Sequence, residues 1–271
     1  MRKRIGVIFQ YAFLGLMAAV VLVPLLYVIL TSLTPLEDIG ASLFFPERLS
    51  LRNFSTVLFE TDFLRYMLNT LYVGIVVVLV SQFFNSLAAY AFARIQFPGS
   101  KLMFSLLIAT LIIPGEVLIV PQYMLVSRLG WIDSYWALIV PSMASAFYTF
   151  FLRQFFIDLP RELEDSATLD GCSRFKTYRS IMLPLIKAPL LTVALLTFFN
   201  VWDSFLWPLT VINTPKKFMI QIAISVLNTE TFTDVGAQFA NVVLSSLPIV
   251  LIFIWLQKYY VAGISTGAVK G

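Results

Sequence analysis

Six stretches of this chain run for about 20 residues or more with at most one charge. Residues 5–35, 66–93, 134–152 and 235–257 carry no Asp, Glu, Lys or Arg; residues 102–127 carry only Glu116, and residues 188–215 only Asp203. A helix rises about 1.5 Å per residue and a bilayer's hydrocarbon core is about 30 Å thick, so about 20 apolar residues cross it. Lipid offers no hydrogen bonds to the backbone, so such runs must be helices that satisfy their own amides. A transmembrane β-barrel requires short alternating segments instead. The sequence therefore predicts an all-α membrane protein with six spans, at about 8–32, 67–92, 102–127, 135–156, 186–211 and 239–260.

Composition agrees. Apolar residues make up 59% of the 271 and charged residues 13%, about half the charged share of an ordinary soluble domain. There is no His and a single Cys, Cys172. That excludes His/Cys zinc sites, Ser-His-Asp and Cys-His nucleophile pairs, His-held haem and intrachain disulfides. A net charge of +4 calls for no nucleic-acid partner. Arg2, Lys3 and Arg4 precede an apolar run that is too long for the core of a signal peptide, so it reads as a retained first helix. With the amino end inside, 13 Lys and Arg fall in inner segments and 6 in outer ones, which places both termini in the cytoplasm. Residues 34–65 and 213–234 become outer loops, and residues 153–187 the one long inner loop. No internal repeat is visible.

The inner loop is the most informative segment. Pro160 suits a first helical position. Glu162, Glu164 and Asp165 then favour the positive end of the helix dipole. Leu163 and Ala167, four apart, share a face, and Gly171 suits a left-handed stop. A second short helix is predicted from Ser173 to Met182, with Phe175, Tyr178 and Met182 in one stripe. Something must cover the apolar face of the first helix. Five acids (Asp158, Glu162, Glu164, Asp165, Asp170) against one Arg in this stretch disfavour anionic lipid. Its own bundle is one candidate and a grooved cytosolic protein the better one.

ELEDSATLDG at residues 162–171, followed twelve residues after Gly171 by Leu183-Pro184, resembles the loop signature of the permease subunits of ABC importers. Asp165 and Ser166 stand where Glu and Ala are usual, which leaves open whether Glu164 or Asp165 is the key acid. FFNVWDSFLWPL (residues 198–209) and GISTGAVKG (263–271) are similar to further segments of the sugar-importing, maltose-type six-span branch, and MLNTLYVGI (67–75) resembles the start of the family's core. The resemblance implies a type I ABC importer (MetI-like) permease fold with a cytoplasmic coupling helix, residues 158–184 forming the coupling loop. Glu162, Leu163, Glu164, Asp165, Ser166, Ala167 and Gly171 would engage the ATPase. It implies two nucleotide-binding ATPase subunits, a second homologous permease subunit, an extracytoplasmic solute-binding protein probed by an outer scoop loop at 213–234, and a prokaryotic plasma membrane. The tail from Gly263 would reach towards the ATPase subunits. ATP and Mg would belong to the partners, with no cofactor in this chain. No two glycines are five apart, as a P-loop requires, which fits a non-catalytic subunit.

The cargo would be a sugar or oligosaccharide, with glycerol 3-phosphate or its diesters as the alternative. Asn200, Asp203 and Trp207 lie at i, i+3 and i+7 and offer polar groups and an aromatic plate on one helical face, so they are candidates for the substrate path or for buried interhelical contacts. A lone acid in the membrane predicts an inward-facing Asp203. Ser81, Gln82, Asn85 and Ser86 form a second polar stripe, read as packing contacts, with Asn85 also a path candidate. Pro114, Pro141, Pro208 and Pro248 are predicted kinks. Glu116 beside Pro114 predicts a wet break near the outer end. A membrane enzyme using Glu116 and Asp203 is a remote alternative without a supporting motif.

Overall fold

The apolar windows become helices wherever no proline or polar cluster interrupts them. A computed structural model describes residues 2–39, 48–228 and 235–268, apart from the side chains of residues 2–6, 8, 9 and 256–268. The helices in chain order are α1 (Arg2–Ser32), α2 (Arg52–Phe59), α3 (Phe63–Arg94), α4 (Ser100–Ala109), α5 (Ile119–Arg128), α6 (Trp136–Ile139), α7 (Ala146–Asp158), α8 (Glu162–Leu169), α9 (Arg174–Thr177), α10 (Leu183–Leu185), α11 (Lys187–Trp202), α12 (Leu206–Val211), α13 (Ile220–Val226) and α14 (Val235–Ala268). The chain divides into two compact units. One comprises Met1–Met67 with Ile222–Pro248, the other Leu68–Gln221 with Ile249–Gly271.

In the first unit, α1 is apolar and exposed on nearly every side, as suits a helix surrounded by lipid. Its end is tied to α2 by Asn53, whose Nδ2 donates to Ser32 O at 3.0 Å and to Thr34 O at 2.9 Å. Tyr27 meets Phe239 edge-on at 6.0 Å. Asn228 links to α14: Gln238 Nε2 donates to its carbonyl at 3.0 Å and Asn241 Nδ2 to its Oδ1 at 2.9 Å. Residues 40–47 of the first expected outer loop, 229–234 of the expected scoop loop and 269–271 of the tail lie outside the described residues, as do the side chains of the tail from Gly263.

The second unit has two apolar cores strung along α3. Val73 and Val77 pack with Val126, Leu138, Ile139, Val211 and Met219. Two to four turns further on, Ala89 and Tyr90 pack with Tyr148, Leu152, Phe156, Tyr178, Met182 and Ile186. Between them, on the same helix, Ser81 and Asn85 are buried.

Among the described residues, three helices are long and apolar enough to cross a membrane alone: Gln10–Ser32, Phe63–Arg94 and Val235–Trp255. They overlap in residues with the expected spans 8–32, 67–92 and 239–260. Two more arise if bent pairs count as one span: Ser100–Ile112 with Gly115–Arg128, bent by 97°, and Arg174–Leu185 with Lys187–Trp202, bent by 83°. The first bend falls at Ile113-Pro114, and Glu116 follows it in an exposed 3-10 turn. The second follows Pro184. The expected fourth span, 135–156, is not one helix: α6 ends at Ile139, and α7 starts only at Ala146. The fifth is interrupted at residues 203–205, between α11 and α12. Pro208 sits in the first turn of α12, where its missing N–H has no intrahelical acceptor to lose. Pro248 lies inside a continuous α14.

Candidate functional site

α8 begins at Glu162, two residues after Pro160, and three acids fill its first turn: Glu162, Glu164 and Asp165. It stops as its glycine dictates. Gly171 takes φ +71°, Gly171 N donates to Thr168 O at 3.0 Å and Cys172 N to Ala167 O at 2.9 Å, which is the Schellman closure. Ser173 then caps α9 by accepting from Lys176 N at 3.3 Å. Tyr178–Met182 forms a π turn with Tyr178 and Met182 buried, whereas Phe175, expected in the same stripe, is exposed.

The two sides of α8 differ from the expected division of labour. Ala167 is 2% exposed and Leu163 half-buried, so the apolar face is covered by this chain itself. Glu164 also turns inward. Its Oε1 accepts from Tyr90 Oη at 2.9 Å, and its Oε2 lies 3.5 Å from Arg94 Nη1. Arg94, with a side chain 4% exposed, also donates through Nη2 to Leu159 O. Glu162, Asp165, Ser166, Asp170 and Gly171 remain exposed. So does Leu169, at 89%. Of the two acids in question, Asp165 is the outward one.

Nearer the start of α3 lies a cavity of about 240 Å³, lined by Val73, Val77, Leu138, Ser142, Ala144, Ser145, Tyr148, Thr197, Asn200, Val201, Ser204, Trp207, Pro208 and Met219. Both interrupted helices open onto it: Ser142, Ala144 and Ser145 come from the α6–α7 break, Ser204 from the α11–α12 break. Asn200 Nδ2 donates to Tyr148 Oη at 2.6 Å, and Trp207 Nε1 donates to Ala137 O at 3.0 Å, which fixes the indole plane. Thr197 Oγ1 is buried without a partner among the described residues. The lining contains no charged side chain.

Asn200 and Trp207 line a common cavity, although they stand on different helices, α11 and α12. Asp203 does not: it caps the end of α11 and is exposed on this chain, because the helix carrying the i, i+3, i+7 pattern stops at Trp202. Asn85 does not line the cavity either. It is 1% exposed, and its amide repairs the backbone beside the cavity. Oδ1 accepts from Ser145 N at 2.8 Å and from Thr149 Oγ1 at 3.0 Å, while Nδ2 donates to Ser81 O and Ser81 Oγ at 2.8 Å and reaches Met143 O at 3.4 Å. Ser142, Ser145, Tyr148, Thr197 and Ser204 were not among the expected site residues. The Pro141-Ser142 pair with Ser145, inside an otherwise apolar window, was their only signal.

At the other end of the same unit, Asp133 closes a loop. It adopts φ +57°, a conformation that Asp tolerates better than most residues. Its Oδ1 accepts from Asn213 N at 3.0 Å and Thr214 N at 2.9 Å, and its Oδ2 from Thr214 Oγ1 at 2.6 Å and Lys217 Nζ at 3.0 Å. The Thr214 hydroxyl and amide, then Lys217 and the Asn213 amide, hold its carboxyl below the usual carboxylate range. Nearby, Asn69 Nδ2 donates to Lys216 O and Phe218 O, each at 3.0 Å. The segment after α12 is thus fastened at both ends before the undescribed part of the outer loop.

This geometry combines long lipid-compatible helices, a short acidic helix with an outward apolar knob, and an uncharged polar cavity at two helix breaks. Comparison with known proteins places it. The model of the family described as binding-protein-dependent transport system inner membrane component matches residues 85–266. The arabinooligosaccharides transport system permease protein AraQ of Halalkalibacterium halodurans is 35% identical over 266 residues, 96% of this chain and 94% of that protein. The sn-glycerol-3-phosphate transport system permease protein UgpE of Rhizobium meliloti is 34% identical over 204 residues, 74% of this chain and 72% of that protein. A crystal structure of a bacterial ABC transporter involved in the import of the acidic polysaccharide alginate contains a chain of the same fold, with a TM-score of 0.88 at 20% identity, covering 96% of this chain and 98% of that one. The chain thus belongs to the family of binding-protein-dependent transport system inner membrane components, as a non-catalytic ABC importer permease.

Proposed function

We propose that this chain imports a sugar or oligosaccharide by alternating access, as one of two homologous permease subunits in a prokaryotic plasma membrane. Two nucleotide-binding ATPase subunits supply the energy, and an extracytoplasmic solute-binding protein delivers the cargo. Both termini are cytoplasmic, and the outer loop at 213–234 probes the binding protein. The observation that carries the reading is the outward face of α8. Leu169 stands bare among Glu162, Asp165 and Asp170 on a helix fixed by a Schellman closure. A nearly fully exposed Leu ringed by acids suits a partner groove with an apolar floor and basic rim. A docked rigid helix turns closure of the ATPase subunits into a rigid-body movement of the spans. Replacing Asp165→Lys together with Leu169→Glu is expected to lower co-purification of the ATPase subunits about tenfold or more, because like charges meet at the rim and a charge enters the floor. Undiminished co-purification overturns the docking assignment.

The cavity supports the cargo. Hydroxyls of Ser142, Ser145 and Ser204, the Asn200–Tyr148 pair and the indole of Trp207 offer the hydrogen bonds and flat apolar surface that a sugar ring uses. Its volume of about 240 Å³ suits one ring at a time. The relative that carries glycerol 3-phosphate in its name supports a second reading, but a phosphate site favours Arg or Lys, and the lining has neither. Asn200→Ala with Ser204→Ala is expected to reduce uptake about fivefold to tenfold while the ATPase subunits stay bound. Competition by a panel of oligosaccharides against glycerol 3-phosphate separates the two cargoes.

A further inference from the structure

Three residues at four-residue spacing along the last turns of α3, Ser86, Tyr90 and Arg94, each engage the segment that carries α8. Ser86 Oγ and Tyr178 Oη are 2.7 Å apart. Tyr90 donates to Glu164, and its ring sits edge-on to Phe156 at 5.5 Å and tilted against Tyr178 at 5.3 Å. Arg94 pairs with Glu164 and binds the carbonyl of Leu159, just before α8. Both carboxylate oxygens of Glu164 are thus engaged within the chain. Arg94 Nε, by contrast, has no partner among the described residues. A buried ion pair with an unsatisfied donor is a poor source of stability, so a geometric role explains the pair better than a stabilising one.

We infer that Glu164 is a positioning residue: with Tyr90 and Arg94 it fastens the outward helix α8 to the end of α3, so that force on α8 is delivered to that span rather than absorbed by the loop. The inference rests on the docking of α8 proposed above. It separates two roles within one acidic cluster. Asp165 and Leu169 meet the ATPase, whereas Glu164 keeps α8 rigid relative to α3. Loss of the first weakens assembly; loss of the second leaves assembly and wastes ATP.

The test uses the complete importer in proteoliposomes, with Glu164→Gln, Tyr90→Phe and the double variant. Tyr90→Phe retains the ring packing against Phe156 and Tyr178 and removes only the hydroxyl, so it guards against misfolding. The expected result is normal co-purification of the ATPase subunits and a rise of about fivefold or more in ATP hydrolysed per solute imported. The double variant should exceed Glu164→Gln alone, because a Gln amide oxygen can still accept from Tyr90 Oη until that hydroxyl is removed. A wild-type ratio in Glu164→Gln overturns the inference, as does loss of the ATPase subunits from that variant, which would make Glu164 a docking residue. Failure of the docking reading is distinct: it shows as retained ATPase subunits in Asp165→Lys with Leu169→Glu.

Discussion

Asn85 shows how one side chain substitutes for a missing helical turn. The backbone between α6 and α7 lacks regular i to i−4 bonds, and in a membrane such groups need protein or water as partners. Asn85 supplies a donor towards Met143 O and an acceptor for Ser145 N. The polar stripe on α3 was legible in the sequence; its purpose was not, because the break it repairs lies 58 to 60 residues further along the chain. The choice between Glu164 and Asp165 stayed open for a similar reason. Helical spacing gives the face of α8 but not which face meets α3. Asp133 lends itself to a pH test. Its depressed pKa means that the charged form favours the folded state. That stabilisation is complete above the free carboxylate value of about 3.9 and is lost as pH falls from there towards its own lower value. Thermal unfolding in detergent of the wild type and Asp133→Asn, which also tolerates positive φ, should show a constant gap from pH 7 to about 4.5 and a narrowing gap below. A pH-independent gap contradicts the charge assignment.

The helices divide into those the sequence places well and those it blurs. α1, α3 and α14 follow from uninterrupted apolar runs. The windows at 102–127, 135–156 and 186–211 had the right composition but hid their interruptions, because Pro, Ser and Asp inside an apolar stretch mark a kink without giving its size. Close approach between α3 and α11 is set by Gly74: a Cβ there would lie 3.1 Å from Phe198 Cε2. Phe198 is buried and stacks on Trp202 at 5.5 Å, so it has little room to retreat. Gly74→Val should therefore lower stability by about 1–3 kcal/mol, outweighing any gain in helix propensity. Thermal unfolding followed by tryptophan fluorescence measures this, and an unchanged midpoint would show that the ring yields freely.

For the whole molecule, the class and the transport family were legible from hydropathy and four short motifs. Most residues of the cavity were not, Asn200 and Trp207 excepted, since the lining converges from helices α3, α6, α7, α11 and α12, two breaks and Met219 ahead of α13. Orientation gives the next prediction. In a chain lacking Cys172 and expressed without the ATPase subunits, which would cover Leu169, Leu169→Cys should react with a membrane-impermeant thiol reagent only in inside-out vesicles and Lys217→Cys only in right-side-out ones, while Ala167→Cys stays slow in both. The α6–α7 break has a last consequence. α7 has 13 residues and is only about 20 Å long, shorter than a bilayer's hydrocarbon core of about 30 Å. The flank carrying residues 140–145 is therefore unsuited to acyl chains. It must be shielded by a sister polypeptide or wetted by a water-filled vestibule, so the seam where Asn85 mends the backbone also marks the side on which this subunit shuns oil.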